Sequence, residues 1–324
     1  MNRWAGQGLN QQKNCQAIPP DFAHLSLFPY VPFLKKEYIM IETSLSDIVI
    51  GIKGAGEMAS AIAWRLFMAN FRNIFLMETP DPLAVRRQVS FCEAVHDGAR
   101  TVEAVTAVRV QDTDHAVASW QTWRIPVLVD PHWHTIARLK PDVVIDAIVA
   151  KKNLGTRMDE ARLVIGLGPG FWAGEHVHLV IETNRGHHLG RIITQGPASP
   201  NTGVPGNIGG YTIQRVLRAP ATGRFVACCD IGQPVRMGDI VGSVEKSPVR
   251  AEIDGILRGL IRSGRDVTEG LKLGDIDPGN DPACCHTISD KARAIGGSVL
   301  EAVLRTFMAP RPFMGVKSHR ELRS

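Results

Sequence analysis

No stretch of this chain approaches the run of about eighteen apolar residues that a membrane-crossing helix requires, so the sequence offers no candidate for one. It also lacks a basic run interleaved with aromatic residues. Aromatics make up 6% of the chain, lysines and arginines are dispersed, and the net charge is a modest +5. That argues against nucleic acid as a partner and is compatible with a small anionic ligand. The cysteines, Cys15, Cys92, Cys228, Cys229, Cys284 and Cys285, show no C-x-x-C spacing and no secreted disulfide framework. Adjacent cysteines rarely bridge each other without strain, so a reducing cytoplasm is the expected setting. Residues 1–39 have neither a long apolar segment nor a small-residue cleavage site, so no signal peptide is expected there. They are expected to form a loosely ordered extension ahead of Met40, an upstream mis-start.

What is present suits a soluble protein with a sizeable core: 324 residues, 44% hydrophobic and 21% charged. The most informative stretch is IVIGIKGAGEMASAIAWRLFMANFRNIFLME at 48–78. An apolar run reads as a buried parallel strand. Gly54, Gly56 and Ala59 then follow in the pattern G-x-G-x-x-A. Met58, Ile62, Leu66 and Ala69 repeat at helical spacing, and a second apolar run ends at Glu78. This is the dinucleotide fingerprint. Gly54 permits a tight turn, Gly56 lets backbone N–H groups approach a pyrophosphate, and Ala59 lets the helix pack closely. Glu78 is placed to accept from a ribose hydroxyl. The alternative is a βαβ unit that keeps its glycines for packing and binds nothing.

Short Val/Ile-rich runs at 125–130, 142–149 and 162–166 continue the α/β rhythm. From Ala219 the texture changes. APATGRFVACCDIGQPVRMGDIVG (219–242) lies over AEIDGILRGLIRSGRDVTEGLKLG (251–274) without a gap. Glycines fall in register where turns need positive φ. Two such interlocked units resemble the lipoyl/biotinyl barrel-sandwich fold. The joint VEKSPV around Lys246 lacks the setting of a modified lysine, so neither biotin nor lipoate is expected. The expected fold is therefore α/β: a Rossmann-like nucleotide-binding domain at 40–160, a connecting α/β segment at 161–215, a lipoyl-like β domain at 216–280, and a C-terminal helix and tail at 281–324.

These features, with PLAVRRQVSF (82–91), AKKNLGTRM (150–158), VIGLGPGF (164–171), PNTGVPG (200–206), PVRAEIDG (248–255) and TISDKA (287–292), resemble the accessory proteins of selenium-dependent molybdenum hydroxylases. Those are distant relatives of the xanthine dehydrogenase accessory factors. The resemblance implies a maturation factor that handles the molybdenum cofactor or its terminal sulfur or selenium, with the hydroxylase as partner. The alternatives are an NAD(P)-dependent oxidoreductase and a non-catalytic docking scaffold, and whether the chain catalyses a reaction stays open.

Lys151, Lys152 and Arg157 follow the strand that ends at Val149, where open α/β sheets place ligands. They suit phosphate or the anionic groups of a pterin dithiolene, or else form a solvated loop. NAD(P) and the molybdenum cofactor are thus the expected cofactors. His176, His178 and Glu182 share one side of a strand, but no partner at zinc spacing follows, so no metal ligands are assigned. The resemblance places a cysteine at Cys285, the expected catalytic residue. His286, Lys291 and a helix start near Ser289 would lower its pKa, leaving a thiolate that carries sulfur or selenium or ligates molybdenum. The alternative is a buried, inert thiol.

Overall fold

The structure, a computed structural model, describes residues 45–279 and 281–308. The expected extension at 1–39 lies outside them. The chain first lays down β1 (Val49–Lys53), α1 (Glu57–Met68), β2 (Asn73–Glu78), α2 (Ala94–Asp97), β3 (Ala99–Val102) and β4 (Val105–Val110). It continues through α3 (Thr113–Gln121), β5 (Ile125–Val129), α4 (His134–Leu139), β6 (Val143–Asp146) and β7 (Leu163–Leu167). Then come β8 (Trp172–Ala173), β9 (Leu179–Ile181), β10 (Ile192–Ile193) and β11 (Gly196–Pro197). Strands β1 to β7 with β9 and β10 form a nine-stranded sheet in the order β10-β9-β7-β6-β1-β2-β5-β4-β3. Its interior pairs are parallel, whereas β10 and β3 close the two edges antiparallel. β8 and β11 pair by themselves.

The central strands are mostly apolar, with charged residues only at their ends, because both faces are covered. β1 is buried from Ile50 to Lys53, and β7 along its whole length. α1 buries Ala59, Ser60, Ala61, Ile62, Ala63 and Leu66. The small side chains let it sit close to the sheet, and buried Ser60 is satisfied, donating to the Ala55 carbonyl and accepting from Phe91 N.

The second half supplies β12 (Val216–Arg218), β13 (Gly223–Ala227), β14 (Pro234–Val235), β15 (Ile240–Val244) and β16 (Ser247–Arg250). β17 (Gly255–Leu260), β18 (Arg265–Val267) and β19 (Lys272–Asp277) complete it, before α5 (Ala283–His286) and α6 (Asp290–Phe307). The strands make two antiparallel four-stranded sheets, β12-β19-β17-β14 and β16-β15-β13-β18. The sequence repeat is visible as exchanged hydrogen bonds. Gly270 N donates to Ala219 O as Gly238 N donates to Ala251 O, and Gly264 N donates to Phe225 O as Gly232 N donates to Leu257 O.

α6 is an amphipathic helix, capped by the Ser289 hydroxyl, which accepts from Ala292 N. Its buried face, Ala292, Ile295, Gly296, Val299, Ala302 and Val303, joins the core that also holds α1 and the first sheet. A Cβ on Gly296 would stand 3.2 Å from the Ala61 carbonyl oxygen, so glycine lets the helices cross closer than a side chain would comfortably allow.

These observations correct the expected fold class. The architecture is a sheet-rich mixed α/β arrangement with one nine-stranded sheet and smaller antiparallel sheets, not a Rossmann-like domain followed by a lipoyl-like barrel. The stretch after residue 160 supplies β7, β9 and β10 to the same sheet, and α6 returns to pack on α1. Two-residue edge strands and a partly exposed β3 carry too little pattern to be read from sequence. Among the described residues no helix is long and apolar enough to cross a membrane.

The repeat also yields a stability test. Gly223 and Gly255 occupy equivalent positions with φ of 150° and 154°. A Cβ on Gly255 would run into the Asp277 backbone carbonyl, but on Gly223 it would meet the flexible Glu245 side chain. Gly255→Ala should therefore destabilise by about 1–3 kcal/mol more than Gly223→Ala, the usual cost of overpacking. Urea unfolding of both variants checks this, and equal losses would contradict it.

Candidate functional site

The glycine loop forms as its residue types require. Gly54 adopts φ 87° and donates its N–H to Met77 O at 2.8 Å. Gly56 is the N-cap of α1, with no side-chain cap and nothing within 4 Å of where a Cβ would stand. Ala59 is fully buried. Glu78 reaches the loop as well, but its carboxylate accepts from Ala55 N and Thr79 N, both at 2.8 Å. It braces the loop from below.

The N-terminus of α1 opens into a cleft of about 730 Å³. Gly56, Glu57 and Met58 form one part of its wall, and residues 199–202 and 204–208 another. Arg86, Lys151, Arg185, Arg215, Arg258, Lys272 and Lys291 also line it, against the carboxylates of Glu57 and Asp275. Arg86 is buried, pairs with Glu57 at 3.3 Å, and donates to Cys284 O and Thr287 O. Arg185 grips Asp290 through both terminal nitrogens at 2.7 and 2.9 Å. That pairing holds the Asp290 carboxyl down to about 2. Its contribution to stability is full above the ordinary aspartate range and lost as pH falls toward 2. Lys291 is half-buried, and its amine has no hydrogen bond or ion pair among the described residues. Burial, with Arg185 nearby, pushes its amine below the ordinary lysine value. Glu182 anchors the loop that begins at Ser199, accepting from Asn184 N and Ser199 N at 2.7 Å.

The other residues singled out by sequence are dispersed. Lys151 lines the cleft, and with Val149 it adopts a left-handed backbone, φ 63° and 58°. Such conformations cost energy in residues with side chains and cluster at functional sites. Lys152 is exposed and absent from the cleft wall, and its backbone fills the space beside Gly170. Arg157 is exposed, bonded to Asp159 at 2.8 Å, and outside the cleft. Lys246 lies exposed in the β15–β16 turn. His178 accepts from Val164 N through Nδ1, and among the described residues no group of His, Cys, Asp and Glu is placed to hold a metal ion.

Cys285 requires correction. It is fully buried, with its thiol 3.8 Å from Leu257 O, and burial pushes its pKa up rather than down. Arg86 and Arg258 lie near enough to oppose that shift but do not reverse it. The neighbouring Cys284 thiol is pushed up to about 12, again chiefly by burial. Sequence reasoning placed a helix start near Cys285 but could not show which way the thiol faces. It also passed over Arg258, although a charged residue inside the otherwise apolar GILRGL of β17 was a visible signal.

No protein-family model matches the chain. It is 45% identical over 274 residues to a protein of Escherichia coli K12 described as "Uncharacterized protein YqeB". The match covers 85% of this chain and 50% of that protein, so the chain spans about half the length of this curated relative. Among solved structures, a succinylglutamate desuccinylase/aspartoacylase from Rhodobacter sphaeroides is 16% identical, over 44% of this chain and 60% of that one, with a TM-score of 0.19. The ectoine utilization protein EutE (DoeB) from Ruegeria pomeroyi is 10% identical, over 64% and 59%, at 0.21. A succinylglutamate desuccinylase from Silicibacter is 11% identical, over 71% and 84%, at 0.22. Scores this low carry neither a fold nor an activity to the chain.

The comparisons give the functional expectation no support. The descriptions of these structures and of the curated relative, itself uncharacterized, name no molybdenum hydroxylase. The accessory-protein membership, the maturation role, the selenium and molybdenum chemistry and the hydroxylase partner are withdrawn. The NAD(P)-dependent oxidoreductase is withdrawn with them.

Burial orders the thiols for a direct measurement. A limiting alkylating reagent at neutral pH should modify exposed Cys228 before Cys284 and Cys285. Peptide mapping by mass spectrometry reads the order, and prior labelling of Cys285 would show a thiol more reactive than its burial allows.

Proposed function

We propose that the chain binds a small, multiply charged anion in the cleft at the N-terminus of α1. The observation that carries this reading is the company the uncapped helix end keeps. Gly56 leaves open space before it, and Lys151 and Lys291 face the same cleft without an ion-pair partner among the described residues. A helix N-terminus presents unpaired N–H donors and a partial positive charge, which favours an anion. The cations add long-range attraction in a partly enclosed site. Glu57 moderates that field, but its carboxylate is already engaged by Arg86 and the Ser289 hydroxyl. The described cysteines are all free thiols, which supports a reducing, cytoplasmic setting.

Sulfate serves as a probe because its charge is constant over the working range. It should raise the melting temperature and bind with a salt-sensitive affinity. Gly56→Val should fold, since nothing occupies the space its side chain enters, yet bind at least about tenfold more weakly by blocking access to the helix end. Affinity should also fall as pH rises through the lowered pKa of Lys291, because only the protonated amine attracts the anion. Calorimetric titration of sulfate against pH reads both effects. No binding to the unmodified chain would refute the proposal.

A further inference from the structure

Arg258 stands in the middle of β17, where every residue is buried, and is itself 9% exposed. It makes no hydrogen bond among the described residues. Its Nε is buried without a partner, and Nη1 lies 3.9 Å from both Asp275 Oδ2 and Asp277 Oδ2, beyond hydrogen-bond reach. Asp275 is also claimed by Arg215 at 3.3 Å and by Lys272 at 3.9 Å. Arg215, 7% exposed, turns its remaining donors to Gly206 O. Three cations, Arg215, Arg258 and Lys272, thus meet two carboxylates, Asp275 and Asp277, and Asp275 Oδ1 is also buried without a hydrogen bond. A guanidinium held out of water without hydrogen bonds is costly unless something else completes its shell. Both arginines line the cleft, so a ligand can do so.

This group is carried by β12, β17 and β19 and their flanks, whereas Gly56 and Lys291 sit at the N-termini of α1 and α6. Arg185 stands near both groups, since its charge acts on Arg215 and on Lys291. It is locked to Asp290 and backed by Gly206, whose position leaves no room for a side chain against it.

We propose that Arg215 and Arg258 form a second anion subsite, so that the ligand is a small molecule with an anionic group at each end, one held by the arginines and one by the α1 N-terminus and Lys291. The inference rests on the anion-binding reading of the cleft. The planar guanidinium fork suits a carboxylate or a phosphate equally, so the terminal chemistry is an oxyanion and the experiment distinguishes the two kinds.

Calorimetric titration of the full chain with methyl phosphate and acetate, and with bisphosphates and linear dicarboxylates of increasing length, provides the test. The expected result is two equivalents of a monoanion per chain, but one equivalent of a bis-anion of matching length, bound at least tenfold more tightly. Arg258→Gln and Lys291→Gln should each remove that advantage and leave a single monoanion site. Arg258→Lys keeps the charge without the fork and should retain part of it, which separates loss of the subsite from loss of the fold. One equivalent of monoanion with no gain for any bis-anion would overturn the second subsite while leaving the cleft reading intact. No binding of any anion would overturn both.

Discussion

The crossing of α6 over α1 is the constraint on which the rest of the structure depends. The helices approach closely because Gly296 has no side chain to hold them apart, and the buried face of α6 completes the core above the first sheet. Its approach is fixed by polar ties as well as by packing. Arg86 donates to Cys284 O and Thr287 O, Ile288 N donates to Glu103, and Arg293 pairs with the same Glu103 at 2.6 Å. These ties bring Ser289 and Lys291 to the mouth of α1. Without them the cleft would lose part of its wall, since that wall is assembled from residues more than two hundred positions apart.

A second element of rigidity lies beneath the loop that presents Lys151. Lys53, fully buried at the end of β1, donates to Thr156 at 2.8 Å and pairs with Glu160 at 2.8 Å. Thr156 in turn donates to Asp146 at 2.6 Å. A buried charge is tolerable only when its partners are this complete. Burial still raises the Asp146 carboxyl, with Lys53 opposing. The network ties the ends of β1 and β6 to residues 156–160, so the strained backbone at Val149 and Lys151 hangs from fixed points. Strain of that kind persists only where its surroundings over-determine it.

Much of the local structure was legible in the sequence, and the reason is periodicity. Strands buried on both faces read as apolar runs, α1 and α6 read as helices, and the repeat announced itself through the glycine pairs 223/255, 232/264 and 238/270, all at positive φ. The edges of the sheet were not legible, because β10 is two residues long and only half-buried. Nor was the assembly of the cleft, since Arg215, Arg258 and Lys272 enter it from separate strands and flanks. The expected lowering of the Cys285 pKa failed because neighbours in sequence say nothing about the direction of a side chain. The resemblance to molybdenum hydroxylase accessory proteins failed for another reason. Glycine-rich turns and Pro/Gly loops specify backbone shapes that unrelated functions share.

The exchanged hydrogen bonds of the repeat have a kinetic consequence. Whatever the first copy donates to the second it receives back in kind, as the pairs Gly238–Ala251 and Gly270–Ala219 show. Each copy pairs its own outer strands, β13 with β15 and β17 with β19, but its short middle strand crosses to the other copy, β14 to β17 and β18 to β13, so neither half completes its sheet alone. The exchanged strands are paired only once the loop between the copies has closed. During synthesis the first copy therefore leaves the ribosome with open strand edges, and it stays vulnerable to pairing with another chain until its counterpart arrives.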